Sequence, residues 1–368
     1  MGNPPHLLHV FPNFGVGGAE MTIVLVVNKL GGKFRHSFMA VHGDYSAMER
    51  IDSSIDARKV EAPPRTDMFR FPLAMRRVAK AAAPDLICTY NWGSTDLLLG
   101  MLLGSFCPVV HNEHGFEAEE AQALKARRVW ARRILLRGVY ATVVPSRTML
   151  RIAREQYHLE ENGIRAIYNR IDTDRFLNKS NWNLRERHSV DRDQVLFGFV
   201  GALRSEKNLS LLIGSFHNIP NSKLMIVGDG PCLSGLKAIS DNRVIFTGRC
   251  QDPAESYAAF DVFCMSSITE QQSISLLEAM ASGLPCITTD VGDSAELLGN
   301  PGFPQVVRLG DVGQYTEAMR RFEGDKALRE SVGKANRERA QAHYSHHQMV
   351  AEYERLWMDA ISDWEGRA

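Results

Sequence analysis

Short apolar runs alternate with helical patterns along the chain, and this alternation occurs twice. A strand, a helix and another strand in succession are typical of a parallel sheet covered by helices. The first series of predicted strands comprises residues 7–11, 38–42, 85–89, 109–112, 141–145 and 165–168, and the second comprises residues 195–200, 223–227, 244–247, 262–265 and 286–289. The pattern therefore predicts an α/β protein with two Rossmann-like domains.

A polar segment over residues 177–194 separates the two series, and it shows neither helical nor strand periodicity. We interpret it as the domain linker. The prediction is an N-terminal domain over residues 1–180 and a C-terminal domain over residues 181–345. Residues 346–368 carry apolar side chains at helical spacing, which predicts a long terminal helix.

Composition narrows the classes of function. Lys and Arg number 43 together, as do Asp and Glu, so no overall field of one sign attracts nucleic acid, and we expect no nucleic-acid partner. The six cysteines form no CxxC pair, which favours reduced thiols in a cytoplasmic protein. No run of about 18 apolar residues and no secretion signal occurs, so we expect a cytoplasmic protein without a membrane span.

A glycine-rich loop follows the first predicted strand and precedes a helix predicted over residues 20–30. Gly17 and Gly18 lie in this loop, where a backbone without side chains can approach a phosphate and the helix N-terminus favours negative charge. The spacing is not GxGxxG, and no acidic residue follows at the expected distance, which disfavours a nicotinamide dehydrogenase. A tight turn without a ligand is the alternative.

The most informative segment lies between the strands predicted at residues 262–265 and 286–289. Glu270 lies in the loop, and a helix is predicted to begin near Ser273. The free backbone amides of Ser273, Ile274 and Ser275 at this helix start are suited to an anion. The carboxylates of Glu270 and Glu278 can accept hydrogen bonds from ligand hydroxyls. A phosphate flanked by two polyols fits this arrangement. The alternative for Glu278 is an ordinary solvated helix glutamate.

The order and spacing of these residues resemble the retaining glycosyltransferases of family 4, which have the GT-B fold. Glu270 and Glu278 are followed by Ala-Met-Ala-x-Gly-x-Pro over residues 279–285. Further matches occur in family order at Gly17-Gly18-Ala19-Glu20, His114-Gly115, Asn169-x-Ile171-Asp172, Gly201-x-Leu203, Glu206-Lys207-Asn208 and Val227-Gly228-Asp229-Gly230-Pro231. The resemblance implies two parallel-sheet domains that face each other across a cleft. It also implies that the N-terminal domain binds the acceptor, that the C-terminal domain binds a nucleotide-sugar donor, and that the terminal helix packs back on the N-terminal domain.

The resemblance assigns roles to the matched side chains. Arg204 and Lys207 would neutralise the donor diphosphate, Glu270 would hold the donor sugar, and His114 would face the reacting sugar, which makes these four the expected catalytic residues. Glu278 would hold the nucleotide ribose. The implied donor-binding set is Gly17, Gly18, Arg204, Lys207, Glu270, Ser273, Ile274, Ser275 and Glu278. The alternatives are solvated loop charges for Arg204 and Lys207, and a structural or metal-ligating role for His114.

Retention in this family implies a front-face substitution, in which the leaving phosphate helps to deprotonate the acceptor hydroxyl. The paired carboxylates of glycosidases are then not required. Such a step depends on charge stabilisation and positioning. The resemblance therefore implies a hexosyltransferase that uses a nucleotide-sugar, by family expectation a UDP-sugar, and needs no metal or other cofactor.

The chain departs from the family pattern at three places. Ala202 stands where arginine is common, Gln271-Gln272 stands where Gly-Phe is common, and Arg170 stands where glycine is usual. These departures leave open a non-catalytic nucleotide-sugar-binding subunit. A nucleotide-sugar epimerase of similar fold is a further alternative.

One concentrated basic segment extends from Lys125 to Arg137 and contains five arginines and one lysine. It is predicted to form a helix with an apolar face, which would suit contact with anionic lipid at the inner face of the plasma membrane. The acceptor would then be a lipid-linked saccharide of polysaccharide or glycolipid synthesis. The alternative is a surface helix docked on its own sheet.

Overall fold

The structure is a computed structural model that describes residues 3–115, 124–177, 182–250, 252–299 and 305–366. The chain forms two compact units, the first comprising Met1–Asn169 and His347–Ala368 and the second Arg170–His346. Each unit contains a parallel sheet with an apolar core on both of its faces. The prediction of an α/β protein with two Rossmann-like domains is confirmed.

The strands are numbered in chain order. In the first unit they are β1 (His6–Phe11), β2 (Arg35–Ala40), β3 (Ala57–Lys59), β4 (Leu86–Tyr90), β5 (Val109–Asn112), β6 (Ala141–Val144) and β7 (Ile164–Ala166). In the second they are β8 (Val195–Val200), β9 (Ser222–Val227), β10 (Val244–Gly248), β11 (Val262–Met265), β12 (Cys286–Thr289) and β13 (Val306–Val307). Strands β3 and β13 were not predicted, because they have only three and two residues and β3 is largely exposed.

The first sheet has the strand order β3-β2-β1-β4-β5-β6-β7 and the second has the order β10-β9-β8-β11-β12-β13. All these strand pairs are parallel, and β1 pairs with both β2 and β4. Parallel pairing places the carboxyl ends of the strands at one edge of each sheet, where ligands bind in open α/β folds.

The helices are α1 (Gly18–Leu30), α2 (Arg70–Ala81), α3 (Thr95–Met101), α4 (Ala126–Leu135), α5 (Arg147–Glu155), α6 (Trp182–Arg187), α7 (Leu209–Phe216), α8 (Leu233–Ala238), α9 (Pro253–Tyr257), α10 (Ile274–Ala281), α11 (Ser294–Leu298), α12 (Val312–Gly324), α13 (Lys326–His343) and α14 (His346–Glu365). In the first unit, α1 and α14 cover one face of the sheet, while α2 to α5 cover the other. No helix among the described residues has the length and apolar character that crossing a bilayer would require.

Strand β1 shows how the sequence pattern builds both cores of the first unit. Leu7 and Phe11 point to the α1 and α14 side, whereas Leu8 and Val10 point to the α2 to α5 side. Successive side chains alternate across a strand, so a strand covered on both faces is apolar throughout. This is why a continuous apolar run predicted β1 correctly.

The terminal helix α14 belongs to the core of the first unit. Tyr353 and Trp357 are buried there, and the Tyr353 hydroxyl donates a hydrogen bond to Asn112 Oδ1 at 3.2 Å. The Trp357 ring meets Phe34 edge-on with ring centroids 5.6 Å apart. Residues 347–366 therefore complete a hydrophobic layer begun by the first part of the chain.

The prediction of an aperiodic linker over residues 177–194 was wrong for the part that forms α6. Arg185 on this helix is buried and donates to the carbonyl of Ala259 and to Asp261 Oδ2, both at 2.9 Å. A helix held by a buried arginine has too few apolar residues to show periodicity. The two units also divide after Asn169, earlier than the predicted position 180, because Ile171 pairs with Ser345 inside the second unit.

Candidate functional site

The loops that follow β8 and β9 are joined by backbone contacts at the carboxyl edge of the second sheet. The Gly201 amide donates to Val227 O at 3.0 Å, and the Leu203 amide donates to Asp229 O at 3.0 Å. Gly228 has a φ of 140°, and a Cβ at this position would lie 1.9 Å from Gly201 O. Only glycine at position 228 allows the two loops to approach this closely.

Lys207 and Glu270 are brought together at this edge. A short turn over Ser205–Lys207 follows β8, and Lys207 Nζ lies 2.5 Å from Glu270 Oε1. Ser267 Oγ donates to the same carboxylate oxygen at 2.8 Å. Lys207 and Glu270 are 22% and 13% exposed, so both remain within reach of a ligand. An ammonium group has three donors and a carboxylate has two acceptor oxygens, so each keeps bonding capacity beyond the ion pair.

Backbone bonds fix the loop after β11 against the turn that carries Lys207. The Ile268 amide donates to Glu206 O at 2.8 Å, and Ser266 Oγ donates to Lys207 O at 2.9 Å. Ser266 is fully buried, so this contact is shielded from water. The sequence analysis gave Ser266 and Ser267 no role, although hydroxyl side chains directly after a strand end can fix a loop through hydrogen bonds to backbone groups.

Arg204 is not part of this cluster. It is exposed, and its guanidinium makes no hydrogen bond or ion pair to the described residues. Its neighbour Ala202, which replaces the arginine common in the family, is also exposed. The structure therefore brings one of the two predicted phosphate cations to Glu270 and leaves the other in solvent.

Gly292 supports the loop that carries Glu270 and Gln271, a role that the sequence did not reveal. Its φ is 55°, and a Cβ there would lie 2.4 Å from Glu270 O and 2.5 Å from Gln271 O. The Asp293 amide donates to Gln271 O at 2.9 Å. Gln271 Oε1 is buried and has no hydrogen-bond partner within the described part of the chain.

Helix α10 begins as the sequence predicted. Ser273 is the N-cap, and its Oγ accepts a hydrogen bond from the Leu276 amide at 3.3 Å and contacts Ser275 Oγ at 3.0 Å. The first amides of a helix lack intrahelical acceptors, so the backbone N–H groups of Ile274 and Ser275 are available to an anion at this end. The helix start thus lies on the same loop as Glu270.

Glu278 is not a solvated helix glutamate. The side chain is half-buried, and its Oε2 accepts a hydrogen bond from the Tyr257 hydroxyl at 2.8 Å. Burial raises the pKa of Glu278 to about 7, although the Tyr257 hydrogen bond and the charge of Arg175 act in the opposite direction. A carboxyl group that titrates near neutral pH beside a helix start is typical of a functional site.

In the first unit, His114 follows β5 in a buried setting. Its amide donates to Asn91 Oδ1 at 2.8 Å, and its ring stacks on Tyr90 with centroids 6.1 Å apart. Both ring nitrogens are buried without a hydrogen-bond partner among the described residues. Burial lowers the pKa of His114 to about 4, so the ring is neutral at pH 7 and can offer one donor and one acceptor.

A buried ion pair that the sequence did not predict lies beside His114. Arg132 binds Glu113 with both Nε and Nη2, at 2.9 and 3.1 Å, and His111 Nε2 lies 3.4 Å from the same carboxylate. Burial alone would raise the pKa of Glu113, but Arg132 and His111 outweigh it and lower the pKa to about 2. Arg128 and Arg132 of the basic segment from Lys125 to Arg137 are also buried, so only part of the positive charge of this segment faces solvent.

The glycine loop of the first unit makes a tight helix start. Gly17 is the N-cap of α1, and a Cβ on Gly17 would lie 2.5 Å from Glu20 Oε2. A glutamate three residues after the N-cap is placed to bond the free amides there. Gly17, Gly18 and His114 lie in the first unit, whereas the other predicted site residues lie in the second. No cluster of three or more His, Cys, Asp or Glu suited to a metal occurs among the residues described.

Two family models match the chain, one over most of the first unit and the other over most of the second. The model for Glycosyltransferase Family 4 matches residues 16–175, and the model for Glycosyl transferases group 1 matches residues 194–325. Between them the matches include His114 and Gly17 as well as Lys207, Glu270 and Glu278. The chain belongs to the family 4 glycosyltransferases. The family resemblance expected from the sequence is confirmed.

Curated relatives of this glycosyltransferase differ in their named donors. A UDP-Gal:alpha-D-GlcNAc-diphosphoundecaprenol alpha-1,3-galactosyltransferase of Escherichia coli is 25% identical over 276 residues, which cover 70% of each chain. A GDP-mannose-dependent alpha-mannosyltransferase of Mycobacterium tuberculosis is 34% identical over 191 residues, which cover 50% of this chain and 48% of the relative. Across the first three curated relatives, the matched segments span 55%, 70% and 28% of the relative.

A solved structure of similar fold is that of Anabaena Alr3699/HepE in complex with UDP-glucose. The two structures superpose with a TM-score of 0.81 over 96% of this chain and 99% of the other, at 18% sequence identity. At this identity the similarity concerns the fold. The GT-B fold of this glycosyltransferase is confirmed.

Proposed function

We propose that this glycosyltransferase moves a hexose from a UDP-sugar to a lipid-linked saccharide, with retention of configuration and without a metal ion. The observation that carries the proposal is the convergence of Lys207, Glu270 and the α10 N-terminus at the carboxyl edge of the second sheet. A cation and free amides are suited to a diphosphate, and two partly buried carboxylates are suited to hydroxyl groups.

The donor would bind across these groups. Lys207 and the amides of Ile274 and Ser275 would hold the diphosphate, whose negative charge grows as the bond to the sugar breaks. Glu270 would accept hydrogen bonds from sugar hydroxyls, and Glu278 from the ribose. In the apolar environment of partly buried side chains, such charge stabilisation is stronger than in water.

The chemical step would be a front-face substitution. The acceptor oxygen bonds to the anomeric carbon on the face from which the diphosphate departs, and the acceptor proton passes to an oxygen of the leaving phosphate. His114 would contribute as a neutral hydrogen-bonding group toward the sugar, because burial keeps its pKa near 4. Lys207 and the free amides at the start of α10 would stabilise the charge of the leaving phosphate, and the proposed step uses no divalent ion.

UDP is the proposed nucleotide. It occurs in the name of the galactosyltransferase that matches over 70% of the chain and in the complex of the HepE structure. Because one relative is named as GDP-mannose-dependent, GDP is the alternative nucleotide, and the experiment must distinguish UDP from GDP.

Calorimetric titration with UDP, GDP and their sugars tests the donor proposal. We expect selective binding of UDP and a UDP-hexose, undiminished by EDTA, and weakened at least about tenfold, or about 1.4 kcal/mol, by Lys207→Ala and by Glu278→Ala. The controls are Lys237→Ala and Glu317→Ala, which remove exposed side chains of the same unit. Selective binding of GDP would replace the nucleotide, and a requirement for manganese would contradict the metal-free step.

The proposed membrane contact involves the outer surface of α2, α3 and α4. These helices cover one face of the first sheet. On α4, Trp130 is 65% exposed and Ile134 is 40% exposed beside the exposed Arg127. Further exposed apolar residues of this layer are Met68, Phe69, Leu73, Leu99, Leu102 and Leu103. Apolar residues flanked by arginines suit an anionic lipid surface, where a lipid-linked acceptor would be found.

Flotation with phosphatidylglycerol-containing vesicles tests this contact against pure phosphatidylcholine vesicles. We expect binding to the anionic vesicles, and loss of that binding in Trp130→Ser combined with Ile134→Ser. The matched control combines Leu309→Ser with Val312→Ser, which removes two similarly exposed apolar residues from the second unit. Absence of flotation at low salt, or equal loss in both double variants, would contradict membrane contact through this surface.

A further inference from the structure

One oxygen of the Glu278 carboxylate is hydrogen-bonded to Tyr257, a residue that belongs to none of the sequence motifs. The Tyr257 hydroxyl lies 2.8 Å from Glu278 Oε2 and 3.1 Å from the carbonyl oxygen of Ser275. Tyr257 ends helix α9, whereas Ser275 and Glu278 lie on α10. One phenol hydroxyl therefore reaches both the backbone of the first α10 turn and the carboxylate one turn further along.

The ring of Tyr257 cannot move away from this position without breaking the core. It has no exposed surface, and it packs against Phe176, Phe260 and Phe263 with ring centroids 5.8, 6.1 and 5.8 Å away. Phe176 lies in the turn Thr173–Phe176 that follows the Asn-x-Ile-Asp motif. Aromatic packing of this kind fixes the hydroxyl in space.

The hydroxyl leaves the two oxygens of Glu278 in different situations. Oε2 is occupied by Tyr257, while Oε1 has no hydrogen-bond partner in the described ranges of the chain. We propose that Tyr257 is a positioning residue for donor binding, whose hydroxyl orients the Glu278 carboxylate so that Oε1 accepts a hydrogen bond from the nucleotide ribose. This inference rests on the proposed function, in which Glu278 binds the ribose.

The charged and titratable groups around Glu278 come from several elements. Arg175 precedes Phe176 and is paired with Asp252 at 2.7 Å, and both act on the charge of Glu278. Cys250 lies close enough to interact electrostatically with the same carboxylate. Arg337 from α13 donates to Ser282 O, at the opposite end of α10. Arg175 and the Tyr257 hydroxyl favour the ionised carboxylate, while burial and Asp252 oppose ionisation.

The Tyr257 hydrogen bond has a consequence for pH dependence. Burial raises the pKa of Glu278 to about 7, and a bond from Tyr257 to the ionised form keeps this pKa lower than burial alone would. Loss of the hydroxyl therefore raises the pKa further. Because a protonated carboxyl is a poorer acceptor, nucleotide affinity should increase with pH through the neutral range, and its midpoint should move upward without Tyr257.

Calorimetric titration of UDP from about pH 6 to about pH 9 tests this in the full chain with Tyr257→Phe. We expect the Tyr257→Phe variant to bind UDP about tenfold more weakly at pH 7, and we expect the midpoint of its affinity–pH curve to lie about one pH unit higher. In transfer kinetics, the KM for the donor should increase, while kcat at saturating donor should change little. The control is Tyr315→Phe, which removes the hydroxyl of another buried tyrosine in the same unit, bonded to Ile287 O at 3.2 Å. Glu278→Gln, which cannot ionise, should bind UDP with no midpoint in this range.

The outcomes separate the inference from the proposed function. If the unaltered chain binds no nucleotide at any pH, both fail. If it binds UDP but Tyr257→Phe keeps the same midpoint, or if Tyr315→Phe shifts it equally, only the positioning role of Tyr257 is overturned. Equal melting temperatures of the two Phe variants would show that a shift confined to Tyr257→Phe is not a loss of folding.

Discussion

The position of Gly228 shows how one residue can set the geometry of a site. Its missing side chain lets the loops after β8 and β9 meet, with Gly201 O where a Cβ would otherwise be. Lys207 follows this loop region in sequence and reaches Glu270 from it. A change at Gly228 is therefore expected to act on donor binding through the backbone rather than through a lost contact.

We predict that Gly228→Ala destabilises the second unit by about 2 kcal/mol or more, because the loops must separate and the φ of 140° disfavours a side chain. UDP affinity should fall as well. Urea unfolding and calorimetry measure the two effects. The control is Gly214→Ala on α7, where a Cβ meets nothing within 4 Å, and this change should stabilise by about 0.5 kcal/mol. Equal effects of the two alanines would refute the argument.

At the scale of elements, α4 is tied to the end of β5 by the buried pair of Arg132 and Glu113. Both side chains have no exposed surface, and Arg132 also lies 5.0 Å from the Trp92 ring centroid and 5.3 Å from the Tyr157 ring centroid. Since Glu113 directly precedes His114, this pair positions the loop that carries the histidine. A buried pair depends on both partners, because a single buried charge is costly.

We predict that Arg132→Met destabilises the first unit by about 3 to 5 kcal/mol, since it leaves the Glu113 carboxylate buried and unpaired. The double variant Arg132→Met with Glu113→Gln should lose less free energy of unfolding than the sum of the losses in the two single variants. Arg127→Met is the control, because Arg127 is exposed on the same helix, and it should change stability by less than about 0.5 kcal/mol. Urea denaturation of the unaltered chain, the two single variants and the double variant provides the cycle, and additive losses of stability would contradict a coupled pair.

At the scale of the whole molecule, buried histidines are concentrated in the first unit. His9 Nδ1 contacts the Tyr90 hydroxyl at 2.8 Å, and His9 Nε2 contacts His36 Nδ1 at 3.0 Å. Burial lowers the pKa of His9 well below its usual value and that of His36 to about 4, and it has the same effect on His114. The folded first unit therefore keeps these rings neutral at pH values where the unfolded chain binds protons.

We predict that the first unit loses stability as pH falls from about 6.5 toward about 4, because these histidines bind protons in the unfolded state but stay neutral in the folded state. Each such histidine contributes a loss of up to about 1.4 kcal/mol per pH unit. Four of the five tryptophans, at positions 92, 130, 357 and 364, lie in this unit, so tryptophan fluorescence in urea reports its unfolding. His36→Phe should reduce the slope, while His217→Ala, at an exposed position of the second unit, should not. A flat pH profile would contradict the prediction.

The sequence by itself determined the strand–helix alternation, the two sheets, the start of α10 at Ser273 and the family. These features follow from local apolar runs, caps and motif spacing, which are properties of neighbouring residues. The tertiary structure alone decided that Arg132 and Arg185 are buried, that Arg204 is exposed, and that Lys207 pairs with Glu270. It also decided that Tyr257 holds Glu278. Burial and partners of polar side chains depend on residues distant in sequence, because a charge enters a core only where the fold brings a partner to it.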